Sequence, residues 1–299
     1  MAEPIGIVTA KDALLAAAGR LREADIPSAR LDAEVLLAHV LGVRREYLYA
    51  HPERRLSFNE YERYQAVLEQ RLTRLPVAYI TGKKEFMSLE FTVDQHVLIP
   101  RPETEVLVEE VISRVRPCGG AFLPLANPMI IADIGTGSGA IAVSIAWFVE
   151  DAQVIATDIS GDALDVARAN ARKHNLGHRI KFLQGDLLAP LADEGLEHRL
   201  TAVVSNPPYL SRRAMASVTP EVALEPKSAL FGGEAGLDFS FAILEQARPY
   251  LVPDGFVALE VGYDQAEAVA SFAKEELGYG KVEVIRDLAG IERVVIAGQ

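Results

Sequence analysis

From residue 129 to residue 297 the chain alternates short apolar runs with stretches of helical spacing, and few folds tolerate that pattern. Strand-length runs fall at 129–134, 154–157, 180–183, 201–204 and 256–261. Helical periodicity fills 139–150, 161–175, 239–251 and 265–277. Such alternation demands a mainly parallel sheet covered by helices on both faces. Two last runs, 281–286 and 293–297, follow one another through the tight connection 287–290, so they are expected to pair antiparallel at the sheet edge.

An open α/β sheet binds ligands beyond the carboxyl ends of its strands, so the residues at the strand ends are the candidates for chemistry. The first ends in Asp133-Ile134-Gly135-Thr136-Gly137-Ser138-Gly139-Ala140, a glycine loop leading into a helix. Its glycines let a ligand approach the backbone, and the helix start supplies N–H groups. Asp158 ends the second strand, where a carboxylate suits two ribose hydroxyls. Asp186 follows the third strand, within reach of an adenine amine, with Leu187 next to it. By letter the loop also fits a dinucleotide fingerprint. Asp133 would repel a pyrophosphate but suits an ammonium, which favours S-adenosyl-L-methionine over a dinucleotide. Each Asp taken alone could be a helix cap; three acids at three successive strand ends make a weaker case for capping.

The fourth run ends in Val203-Val204-Ser205-Asn206-Pro207-Pro208-Tyr209. Two prolines force the chain off the sheet with a stiff, extended backbone. Asn206 and the Pro207 carbonyl offer acceptors, and Tyr209 a flat face, for a planar NH2-bearing group such as an amide or a base amine. The bland alternative is a proline-rich turn.

Net charge is −12, which argues against a protein living on nucleic-acid phosphates. The single cysteine, Cys118, excludes an internal disulfide and suits a reducing, cytoplasmic setting. The sequence shows neither a signal peptide after Met1 nor an apolar run long enough to span a membrane. The six histidines are scattered, and His174 and His178 are read as surface residues, so no metal site is expected.

Residues 1–75 read as a helical bundle. Thr9 would cap a helix with Leu14, Leu15, Ala18 and Leu21 inward. Ser28 would cap a second helix with Leu31, Val35, Leu36, Val40 and Leu41 inward, ending at Gly42. A capping box, Ser57 to Glu60, opens a third helix with Tyr61, Tyr64, Leu68 and Leu72 inward. The bundle carries no recognisable catalytic cluster and either braces its neighbour or docks a macromolecule. In 76–100, Ala78-Tyr79-Ile80 and 89–93 read as strands about a turn at 81–84, a hairpin linker. After Pro100-Arg101-Pro102 a helix is expected over 103–115, and a loop over 116–128. Residues 210–229 look long and polar enough to move.

With these pieces in place the chain resembles the bacterial peptide chain release factor glutamine N5-methyltransferases, the PrmC/HemK family. The matching residues are Ala29 to Glu34, Tyr79 to Gly82 with Glu85-Phe86, Pro100 to Glu105, the glycine loop, Ser205 to Tyr209, and Leu230 to Gly233 with Gly236-Leu237. The resemblance implies a substrate-docking helical domain (1–75), a β-hairpin linker (76–100) and a class I, Rossmann-like methyltransferase domain (101–299). It implies transfer to the glutamine of the Gly-Gly-Gln motif in release factors 1 and 2, by a monomer without stable nucleic-acid or membrane partners. Gly135 to Gly139 and Asp158 would then hold the donor, Asn206 to Tyr209 the glutamine amide, with Asn206 between the two. Some members carry an aromatic residue where this chain has Leu187. The rival reading is an adenine or guanine amine methyltransferase, which also uses such a turn but calls for a basic surface.

Overall fold

The computed structural model describes residues 8–115 and 129–299. Cys118, the expected loop over 116–128 and the first seven residues lie outside the described residues. The chain forms two compact units, Met1–Gly82 with Pro220–Leu224, and Lys83–Thr219 with Glu225–Gln299.

The first unit holds α1 (Ala10–Glu23), α2 (Ala29–Leu41), α3 (Arg45–Ala50), α4 (Phe58–Leu72) and α5 (Val77–Thr81). Thr9 with Asp12 and Ser57 with Glu60 form reciprocal capping boxes, and Gly42 closes α2 at φ 65°. Ser28 precedes α2 as expected, but its side chain makes no capping bond. The α1 stripe is built of Ala10, Ala13, Ala17, Ala18 and Leu21, mostly small residues, while Leu15 of α1 and Leu31 of α2, both expected inward, are exposed. The Tyr64 hydroxyl donates to the Ala33 carbonyl at 3.0 Å. Within the 29–34 stretch, Asp32 accepts from buried Arg71 at 2.8 Å, and Glu34 pairs with Arg30 and Arg45. Arg71 also reaches Glu221 at 2.9 Å. Residues 78–80 are helical, not a strand. Pro76 starts a single turn that Gly82 stops at φ 68°, too short for periodicity to reveal.

In the second unit a hairpin pairs β1 (Lys83–Phe86) with β2 (Leu89–Thr92). Its turn is Met87-Ser88 at φ 50° and 60°, a primed two-residue turn without glycine, rather than 81–84. Then follow α6 (Pro102–Val115), β3 (Met129–Ile134), α7 (Ala140–Phe148), β4 (Ala152–Asp158), α8 (Gly161–Lys173), β5 (Ile180–Gln184), β6 (Leu200–Ser205), α9 (Arg212–Met215), α10 (Asp238–Ala247), β7 (Leu251–Glu260), α11 (Ala266–Ser271), β8 (Lys281–Arg286) and β9 (Glu292–Gly298). The seven-stranded sheet runs β5-β4-β3-β6-β7-β9-β8, parallel from β5 to β7. β9 runs antiparallel to both β7 and β8, as expected for the edge hairpin. Apolar clusters cover both faces. One joins α6 and α7 to the hairpin through Phe86 and Phe91, the other gathers α10 and α11. Among the described residues no helix is long and apolar enough to cross a membrane.

Asn170 on α8 is fully buried and serves two elements at once. It accepts from Thr92 N at 2.7 Å and donates to the carbonyls of Thr92 and Ser138, each at 2.9 Å. It thereby ties the end of β2 to the glycine loop. Asn170→Ala removes the side-chain partner of three backbone groups, of which the Ser138 carbonyl is buried. Urea denaturation should show a loss of about 2–4 kcal/mol, and a loss under about 1 kcal/mol would contradict the bridge.

Candidate active site

The topology turns at β3. The chain passes from β3 to β4 on one side, while β6 lies on the other, and the two loops leaving β3 and β6 open at the same end of the sheet. The Ser205 hydroxyl, buried at the tip of β6, donates to the Ile134 carbonyl at 2.6 Å and fastens the strand ends together. A cavity of about 610 Å³ lies beyond them within the second unit. Its wall includes Gly135 and Gly137, Asp158 after β4, Asp186 and Leu187 after β5, and Asn206 and Pro208 after β6. Residues read separately from four strand ends thus meet around one space. Pro207, Tyr209, Thr136, Ser138, Gly139 and Asp133 stand behind that wall.

Gly135, Gly137 and Gly139 take φ of 72°, 53° and 80°, the left-handed region that glycine enters without strain. Most of the loop's N–H groups are already used. Gly135 and Thr136 both donate to the Thr157 carbonyl at 2.9 Å, Gly139 donates to the Thr136 carbonyl, and Gly137 donates to Asp158 Oδ2 at 2.9 Å. The expected helix-start cradle is therefore largely spent on the loop's own shape. Asp158 Oδ1 also accepts from Ser160 N at 2.9 Å, so both oxygens are aimed by backbone groups and retain lone pairs for hydroxyls. Burial pushes this carboxyl above its ordinary range. Leu187 sits at φ 46°, a strained position for leucine, and its carbonyl accepts from the Thr157 hydroxyl at 3.0 Å.

Asp133 is fully buried. Its Oδ2 accepts from the Thr136 hydroxyl at 2.7 Å and from Ala142 N at 3.0 Å, while Oδ1 has no partner. Burial pushes its carboxyl up to about 7. The two acids that line the cavity, Asp158 and Asp186, fit the sugar and base of an amino-acid nucleoside, whereas Asp133, expected to meet its ammonium, is enclosed behind the glycine loop and does not line the cavity.

The Asn206 amide is fixed from behind. Its Nδ2 donates to Thr104 Oγ1 at 3.0 Å, and Thr104, on α6, donates to Glu260 Oε2 at 2.6 Å. A reversed amide would set two acceptors against each other, so Oδ1 is the atom left for a ligand. Glu260 closes β7 and burial pushes it up to about 7, while the Tyr209 hydroxyl donates to its Oε1 at 3.5 Å.

The proline turn is clamped by 230–236. Leu210 N donates to the Leu230 carbonyl, and Gly232 N donates to the Leu210 carbonyl, each at 2.9 Å. A Cβ on Gly232 would come within 2.3 Å of the Pro208 carbonyl, and one on Gly236 within 2.2 Å of the Tyr209 carbonyl. Gln265 Nε2 donates to the Tyr209 and Gly236 carbonyls from below. Thr104, Glu260, Gln265 and Asn170 were not foreseen as site residues. The only signals were Thr104 within the Pro100–Glu105 match and the glycines of 230–236. Residues 210–229 are also not a loose loop. They carry α9 and two single-turn helices, and buried Glu225 accepts from Ile99 N at 3.0 Å and from Arg101. Arg212 is ion-paired with Glu234 and lies 5.7 Å from the Phe231 ring centre. His178 is exposed, but His174 is half-buried against Phe91 and Trp147.

The strand order and the cavity define a class I methyltransferase domain. Two families match the sequence, "PrmC N-terminal domain" over residues 12–82 and "Methyltransferase small domain" over 123–261. The chain is 43% identical to the release factor glutamine methyltransferase of Moorella thermoacetica over 97% of its length and 98% of that protein. It is 38% identical to that of Clostridium acetobutylicum over 96% and 97%. The chain belongs to the release factor glutamine methyltransferase family, which sets aside the nucleic-acid alternative. Solved structures agree in fold. A Pyrococcus furiosus methyltransferase superposes with a TM-score of 0.50 at 20% identity, covering 78% of this chain and 96% of that one. The N-terminal domain of human METTL16 in complex with SAH superposes with 0.51 at 17%, covering 87% and 93%.

Burial makes the contribution of Asp133 to stability fall as pH rises. Asp133 keeps its proton to about 7 when folded and to 3.8 otherwise, so between these values the unfolded chain has lost a proton that the folded chain still holds. The advantage of Asp133→Asn over wild type in unfolding free energy should therefore grow from about pH 4 to about pH 7, by up to about 1.4 kcal/mol per pH unit. A constant difference across that window would contradict the burial.

Proposed function

We propose that this protein transfers the methyl group of S-adenosyl-L-methionine to the side-chain amide nitrogen, N5, of the glutamine in the Gly-Gly-Gln motif of release factors 1 and 2. The observation that carries the reading is a single cavity whose wall joins the glycine loop and Asp158 to an Asn206 with one oriented acceptor. Asp158 would hold the ribose and Asp186 the base amine, while Asp133 would brace the glycine loop from behind through Thr136 and Ala142. Leu187 would offer the adenine an aliphatic face.

The donor supplies an electrophilic methyl on a positively charged sulfur. The protein's task is to present a poor nucleophile, since the amide lone pair is delocalised into its carbonyl. Asn206 Oδ1 and the Pro207 carbonyl accept the two N–H hydrogens and aim the nitrogen into the cavity. Both acceptors also favour the positive charge that grows on the nitrogen, which then loses its proton. No strong base stands in the 205–209 motif, so alignment supplies most of the effect, roughly 7–11 kcal/mol at best. Tyr209, its hydroxyl tied to Glu260, gives a fixed ring beside the amide. The helical unit docks the release factor, and the enzyme acts as a cytoplasmic monomer.

Incubation with labelled donor and either release factor, RNA or DNA, followed by mass mapping, tests the reading. A single methyl on the Gly-Gly-Gln glutamine is expected; label only in nucleic acid would refute it. Asn206→Ala should abolish turnover while donor affinity stays within several-fold, and near-normal turnover would remove Asn206 from the mechanism. Asp158→Ala should weaken donor binding by calorimetry, and unchanged affinity would remove the ribose assignment.

A further inference from the structure

Behind Asn206 runs a polar chain that the 205–209 motif does not itself contain. Thr104 and Glu260 come from α6 and β7 and are only 4% and 2% exposed. A carboxyl at such depth is costly to desolvate, so it is weak support for a fold. Its contacts instead converge on the reacting face. One oxygen accepts from the Thr104 hydroxyl at 2.6 Å and the other from the Tyr209 hydroxyl at 3.5 Å, and the Thr104 oxygen accepts in turn from Asn206 Nδ2 at 3.0 Å.

We propose that Glu260 and Thr104 are positioning residues, which lock the Asn206 amide with its oxygen towards the glutamine N–H. The two ends of an Asn amide have nearly the same shape, so packing alone does not tell them apart. Only a neighbour committed as an acceptor does so. Thr104 by itself is not committed, because a hydroxyl both donates and accepts. Glu260, as the carboxylate, commits it by accepting its hydroxyl hydrogen bond. Reversal or loosening of Asn206 would put an N–H2 against the glutamine N–H2, donor against donor, and the nitrogen would lose its aim. The inference rests on the glutamine reaction proposed above.

Thr104→Val and Thr104→Ser separate this role from packing. Valine keeps the volume and loses the hydroxyl, whereas serine keeps the hydroxyl and loses a methyl. With release factor saturating, Thr104→Val should lower kcat by about tenfold or more, because small misplacements of a reacting group are costly. Donor affinity by calorimetry, which also reports folding, should stay within about twofold, since the donor's own partners are untouched. Thr104→Ser should recover most of kcat. A packing role predicts the opposite order, with valine the better substitute. If the valine variant does not fold, Thr104→Ala, which can only open space, carries the same expectation. A hydroxyl-free variant that binds donor and turns over like wild type would overturn the proposal, as would a serine variant as slow as the valine one. A wild-type enzyme silent on release factor would defeat the glutamine reading itself, and the positioning role with it; that result is visible before any variant is compared.

Discussion

Everything at the site depends on two neighbouring parallel strands ending level. Asp133 of β3 pairs with Val204 of β6, and one residue further on the Ser205 hydroxyl binds the Ile134 carbonyl. That bond sets the origin of the glycine loop against the origin of the proline turn. A slip of one residue would turn the strand-end side chains to the opposite face of the sheet. The stiffness of the turn then matters. Pro207 and Pro208 hold its backbone, while residues 230–236 and Gln265 occupy its carbonyls from the other side.

The strand and helix alternation was legible because long periodic elements sit on both faces of a buried sheet, so β3 to β9 lie close to where the pattern puts them. What failed was short. The single turn Val77–Thr81 has too few residues to show a period, and the Met87-Ser88 turn uses left-handed backbone without the glycine that would signal it. Leu15 went wrong because alanines make most of the α1 contact, and Leu31 because α2 turns Ala29, Ala33, Leu36, Leu37 and Val40 inward instead. At the site, residues at strand ends were found because a parallel sheet gathers them. Thr104, Glu260 and Asn170 act from behind that line, and only three-dimensional packing brings them there.

The two buried acids at the site, Asp133 and Glu260, are pushed towards their neutral forms by burial. Each sits one layer behind a group that the proposed chemistry needs in a single orientation, the glycine loop in one case and the Asn206 amide in the other. Backbone N–H groups do the same for Asp158. The cavity is thus preorganised by fixed dipoles and hydrogen bonds, which suits a reaction whose barrier is lowered by alignment rather than by a strong base.

The most direct test of this account is a crystal structure of the enzyme with S-adenosylhomocysteine and a peptide carrying Gly-Gly-Gln. The account predicts the sulfur beside the glycine loop and the glutamine nitrogen about 3 Å from both Asn206 Oδ1 and the Pro207 carbonyl oxygen, pointing at the sulfur. A glutamine bound elsewhere, or an Asn206 whose Oδ1 faces Thr104, would contradict it.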